Sequence, residues 1–143
     1  MSRTRTLDKI LRLKNLRTEI AEREYQRALN RLHAAEAARD NAAAVLDDRR
    51  INAKAERREN LQRIFSDDFD NTPINHNRAV QAYLRSSADI QLARRAVDAA
   101  EQAVEMTADE AEDRRQIYAE RQRNARKIDL MRKTLIEEDL RRS

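Results

Sequence analysis

The residues best equipped for acid–base or metal chemistry are two histidines, His33 and His76, and the carboxylate pairs Asp47-Asp48, Glu112-Asp113 and Glu137-Glu138. Paired carboxylates catalyse when burial or mutual repulsion drives their pKa values apart, which requires a pocket that excludes water. Each pair here lies in a stretch rich in charge, within a chain that is 39% Asp, Glu, Lys and Arg. No cysteine is present to act as nucleophile or thiolate ligand, and no glycine is present to build a phosphate-binding loop. The histidines are far apart in sequence, one in an alanine-rich stretch and one beside the main break in the chain. These features predict no catalysis, no metal and no cofactor. Binding to other proteins is the class of function that remains.

The elements that position these groups are helical. Ala, Arg, Glu, Leu and Gln are strong helix formers, and with no Gly and one Pro in 143 residues the chain has few places to turn. Disorder also favours charge and a low aromatic content, here 3%, but a net charge of only +4 with interspersed signs fits the solvated flanks of a coiled coil. No window is apolar enough to span a membrane, and the basic Met1 to Lys14 stretch lacks the continuous apolar core of a secretion signal. A cytoplasmic location without membrane insertion is the expectation.

One strong interruption falls near the midpoint, from Ser66 to Pro73. Thr72 followed by Pro73 suits the N-cap and first turn of a new helix, and Asn71 can take the left-handed conformation that ends the preceding one. We therefore expect helix 1 over about 6–66, a turn over about 67–73 and helix 2 over about 74–140. In the second helix Tyr83, Ile90, Val97, Val104, Ala111, Tyr118 and Ala125 recur every seven residues. Three residues after each stand Ser86, Ala93, Ala100, Thr107, Arg114, Arg121 and Ile128, an a/d seam interrupted only by the two arginines. The first helix is looser: Tyr25, Leu32, Leu46 and Ala53 share one heptad position, interrupted by Arg39, while Ala28, Ala35 and Ala42 share the other until Arg49. Before them Leu7, Ile10, Leu11, Leu13, Leu16 and Ile20 form a broader apolar face.

Folding the chain at Asn71 sets small residues opposite small and large opposite large. Ala34 to Ala44 faces Ala96 to Ala108, Tyr25 comes level with Tyr118, and Leu11, Leu13 and Leu16 come level with Ile128, Met131 and Leu135. A parallel dimer of one continuous helix would not need this mirror relation, and Pro73 would break it. The predicted fold is all-α, a single domain over 1–143 forming a long antiparallel two-helix coiled-coil hairpin with one turn near residues 66–76. Charge is polarised along it. Residues 1–17 carry +5 and residues 121–143 carry +4, leaving −5 for the rest. A basic end studded with Leu and Ile suits an acidic protein surface better than nucleic acid, because aromatics for base stacking are missing there.

The stretch Lys9-Ile10-Leu11-Arg12-Leu13-Lys14-Asn15-Leu16-Arg17, followed by Ala21-Glu22-Arg23-Glu24-Tyr25, resembles the opening of the YscO-type stalk proteins of type III secretion systems. It is similar, more distantly, to their flagellar counterpart FliJ. Arg121-Gln122-Arg123-Asn124-Ala125-Arg126-Lys127-Ile128-Asp129-Leu130-Met131 supports the resemblance, as do the length and midpoint turn. The resemblance implies a hairpin like the paired terminal helices of a rotary ATPase gamma subunit. Its termini-bearing end would enter the hexameric secretion ATPase, its turn end would face the cytoplasmic ring of the export gate, and secretion chaperones would be further partners. The protein would then lie peripheral to the inner-membrane export apparatus. The ATPase contact is expected at Arg12, Leu13, Leu16, Arg17, Arg123, Lys127, Met131 and Arg132, and the export-gate contact at Val80, Tyr83, Leu84 and Ser87. A flagellar export stalk or chaperone escort, a homodimeric structural coiled coil and a nucleic-acid-associated helical protein are the competing readings.

Overall fold

A computed structural model describes residues 2–65 and 73–143. It consists of two α-helices, α1 (Ser2–Ile64) and α2 (Pro73–Arg142), with no strand among the described residues. They pack against each other as an all-α two-helix hairpin, the fold expected from the heptad pattern. The turn over residues 66–72, with the roles assigned there to Asn71 and Thr72, lies outside the described residues. Pro73 opens α2, where its missing N–H would have had no helical acceptor. Helix α1 begins earlier than expected, at Ser2, because no Gly or Pro stops it between the start and Ile64. No described helix is long and apolar enough to cross a membrane.

The chain divides into two compact units: unit 1 is Met1–His33 with Met106–Ser143, and unit 2 is Ala34–Glu105. In unit 1 the two helices run antiparallel in the expected mirror register. Arg132 Nε donates to Asp8 Oδ1, Thr18 Oγ1 to the Arg121 carbonyl at 3.2 Å, Arg114 Nη1 to Glu24 Oε2 at 2.7 Å and Arg31 Nη2 to Glu110 Oε1 at 2.6 Å. The rings of Tyr25 and Tyr118, predicted to come level, stack with centroids 6.2 Å apart. An offset aromatic pair of this kind adds about 0.5–1.5 kcal/mol beyond its buried area. The seam itself is narrow. Leu7, Ala21, Ala28, Ala111 and Ala125 are buried, with Ala28 at 0% exposure. Alanine layers permit close approach of the backbones while burying about one methyl group each, on the order of 0.8 kcal/mol.

The two arginines that interrupt the α2 heptads stay in the seam and are both half-buried. Arg114 reaches across to Glu24. Because that pair remains partly exposed, it contributes in the range of a surface salt bridge, about 0–1 kcal/mol.

Unit 2 is held differently. Leu46, Ala53 and Ala93 are buried. Ser86 Oγ donates to Glu56 Oε2 at 2.6 Å, and the Arg57 guanidinium lies 5.0 Å from the centre of the Tyr83 ring. Tyr83 was expected in the seam; it is 51% exposed, and Ala82 turns inward instead. The flanking d positions, Ala79 and Ser86, stay half-buried, so the seam keeps its heptad positions while the Tyr83 ring lies against Arg57.

Ala28→Leu is predicted to force the helices of unit 1 apart and to cost about 1–3 kcal/mol. Ala37→Leu, on an exposed position of the same helix, is predicted to stay within about 0.5 kcal/mol of the parent protein. Chemical denaturation followed by circular dichroism compares the two.

Candidate protein-docking surfaces

The burial pattern assigns heptad positions and therefore directions. In α1 the inward positions include Leu11, Thr18, Tyr25 and Leu32 at a, and Leu7, Lys14, Ala21 and Ala28 at d. Leu13 and Ile20 then fall at c and Leu16 at f, the positions pointing away from the partner helix. Their exposures, 47%, 46% and 52%, agree with that placement. The broad apolar face read from the sequence is thus two faces. Leu7, Ile10 and Leu11 turn toward α2, and Leu13, Leu16 and Ile20 turn toward solvent.

The other residues assigned to the ATPase contact sort similarly. Arg12 and Arg17 are exposed on α1, and Arg123 and Lys127 occupy f and c of α2 and are exposed on its outward back. Met131 is exposed at the flank. Arg132 is different: it sits at a seam position, half-buried, with its guanidinium engaged by Asp8. Its guanidinium is turned to the hairpin by that pair, unlike those of the other assigned cations. Leu130, missed in the sequence reading, is exposed at f between Arg123 and Lys127 on one side and the following turn on the other. Its signal was its place one turn beyond Lys127 on the same outward stripe.

In unit 2 an apolar groove of about 460 Å³ is lined on α1 by Leu61 and Ile64 and on α2 by Val80, Tyr83 and His76, with Ala53, Ala79 and Ala82 as its floor. A second groove, of about 410 Å³, is lined by Glu56, Glu59, Arg63, Arg85 and Asp89. The heptad positions set the two grooves on opposite sides of the seam, the first mostly apolar though also lined by Glu56, Arg57, Asn60 and Ser86, the second mostly charged. Val80 and Tyr83 line the apolar groove; Leu84 is exposed beside it, and Ser87 is half-buried one turn beyond Tyr83. The four residues assigned to the export gate therefore belong to one side. Leu61 and Ile64 were not singled out from the sequence. With Phe65 they repeat on α1 the i, i+3, i+4 spacing of Val80, Tyr83 and Leu84 on α2, and that repetition was the available signal.

The groups with potential for chemistry are dispersed. His33 is exposed on α1, and no group of three or more His, Cys, Asp or Glu among the described residues is arranged to hold a metal ion. Glu112 is held below the usual carboxylate range chiefly by its hydrogen bonds from Arg115, Nε at 2.8 Å and Nη2 at 2.7 Å, both on one exposed helix face. Such an i, i+3 pair supports the helix locally and creates no pocket. Compared with protein-family models, with curated proteins and with solved structures, the chain matches none.

Proposed function

We propose that this protein is a non-catalytic stalk of a type III secretion export apparatus, peripheral to the inner membrane, joining the hexameric ATPase to the export gate. The reading comes from the resemblance of residues 9–25 and 121–131 to the YscO-type stalks. The observation that carries it furthest is the placement of exposed Leu13 and Leu16 on the back of α1 and exposed Arg123 and Lys127 on the back of α2. Side chains presented on two opposite backs of one hairpin suit a partner that encloses it, such as the pore of a ring. At the f positions Leu16 and Arg123 face opposite ways, so a partner with a flat face would reach only one of those two.

Unit 2 supplies the complementary argument. Its apolar groove lies on one side of the seam only, which suits a partner approaching from one direction, here the cytoplasmic ring of the gate. Secretion chaperones are further candidates for the same groove, because an amphipathic helix laid between two helices is a common way to fill such a surface.

The triple variant Arg12→Glu, Arg17→Glu, Lys127→Glu is predicted to abolish stimulation of the ATPase of the same export system while leaving the helix content unchanged. Steady-state ATP turnover with and without the stalk measures this, and unchanged stimulation would sink the ring contact. The variant Leu84→Asp with Val80→Asp is predicted to keep ATPase stimulation and to lose capture of the purified gate ring. Retention of capture removes the gate assignment.

A further inference from the structure

We infer that unit 1 pairs with unit 1 of a second copy of this chain through one flank of the hairpin, the two copies antiparallel about a twofold axis.

The two flanks of unit 1 differ. In an antiparallel helix pair the c and g positions of both helices share one flank, and the b and e positions share the other. Arg31 and Glu110, both at g, form their ion pair on the first of these. Over residues 9–24 of α1 and 116–131 of α2, the c/g flank carries Ile10, Leu13, Ile20, Ile117 and Met131. The last four are between 39% and 54% exposed. Over the same residues the b/e flank carries Arg12, Asn15, Glu19, Glu22, Gln122 and Arg126, and nothing apolar larger than Ala119. The apolar side chains therefore gather on one side of the hairpin, the side left to be covered.

The pattern on that flank is its own complement. The pairs Arg132 with Asp8, Thr18 with Arg121 and Arg114 with Glu24 bring Leu16 and Arg17 level with Arg123 and Asn124. Leu13 and Ile20 stand equally far on either side of that level on α1. On α2 Lys127 and Glu120 do the same, and so do Met131 and Ile117. A twofold axis at this level, in the plane of the flank and across the helices, sets α1 on α1 and α2 on α2. It lays Leu13 of one copy on Ile20 of the other and Met131 on Ile117, and it brings Lys127 beside Glu120. Each contact is made twice. Neither Lys127 nor Glu120 has an ion-pair partner among the described residues. An anionic bilayer or an unrelated protein would not require these midpoints to coincide, and a second copy does.

The pairing is weak by construction. Arg17 lies near the axis and meets its own copy there, like charge against like. The face is about 22 Å long and two helices, about 20 Å, wide, or about 450 Å² per copy. A standard stable interface takes about 800 Å² from each partner, so this one forms and releases readily. Leu13, Arg17, Lys127 and Met131 are also assigned to the ATPase, so a paired chain has that contact covered. This consequence, unlike the pairing, rests on the function proposed above.

Sedimentation equilibrium of the full-length protein, with no ATPase present, tests the pairing. The parent is expected to pass from monomer toward dimer as its concentration rises to about 1 mM. Lys127→Glu sets like charges opposite each other twice and is expected to weaken the dimer about tenfold. Adding Glu120→Lys to that variant is expected to restore the parent's association. Leu13→Ser with Met131→Ser is expected to abolish it, with circular dichroism showing parent-like helix content in every variant. A parent that stays monomeric throughout, a charge reversal without effect, or a double reversal that fails to restore association would overturn the inference. A monomeric parent that cosediments with phosphatidylserine vesicles would overturn it too, placing a bilayer on the flank. ATP turnover is not read in any of these, so the ring contact stands or falls separately.

Discussion

The rest of this molecule depends on how little its seam can bury. Two helices share one stripe each, and most of the buried positions along that stripe are alanines, with Ala28 fully enclosed. Small side chains draw the backbones together, and there is no interior into which larger ones could be placed. Beyond seam residues such as Leu7, Leu11, Tyr25, Leu32 and Leu46 of α1 and Ile90, Val97, Val104, Tyr118, Ile128 and Leu135 of α2, most bulky residues lie on a flank or an outward back. The exposed leucines, isoleucines and valines are a geometric consequence of a two-helix fold, and they become surfaces for association when they cluster.

The two units answer the shortage differently. Unit 1 adds cross-helix ion pairs and a tyrosine stack to its alanine layers. In unit 2 the d positions of α1 run from half-buried Ala35 and Ala42 to Arg49, Glu56 and Arg63, which are exposed, so toward Ile64 the α1 side of the seam is filled from its a row alone. The floor of Ala53, Ala79 and Ala82 then lies open between Leu61, Ile64, Val80 and Tyr83, and the groove is what remains.

Much of this was legible in the sequence because a seven-residue period is a direct image of which side of a helix faces inward. The α2 heptads from Ile90 to Ile128 and the meeting of Tyr25 with Tyr118 are examples. The opening of α1 was harder. Seven residues from Leu7 to Leu13 include four aliphatics, more than one stripe can hold, so periodicity alone could not say that Leu13 turns out while Lys14 turns in. The ion pair of Arg132 was hidden for a related reason: an arginine in a basic run looks free, and only the register reveals Asp8 beside it. The exposure of Tyr83 was not legible because a heptad count says nothing of Arg57 on the other helix, against which its ring lies. The position of Leu61 and Ile64 depended on α2 being alongside, which a single helix pattern does not contain.

The ion pair between Arg114 and Glu24 has a consequence for translation along the seam. A repeat of alanines every seven residues fits itself nearly as well after sliding one heptad, so packing alone does not select one alignment of the helices. Sliding by seven brings Arg114 level with Arg31 in one direction and with Arg17 in the other, like charge against like in both cases. In the second direction Glu110, now held by Arg31, would also come level with Glu24. The charged residues that interrupt the heptads thus act as a vernier, penalising each neighbouring alignment that the alanines would otherwise permit.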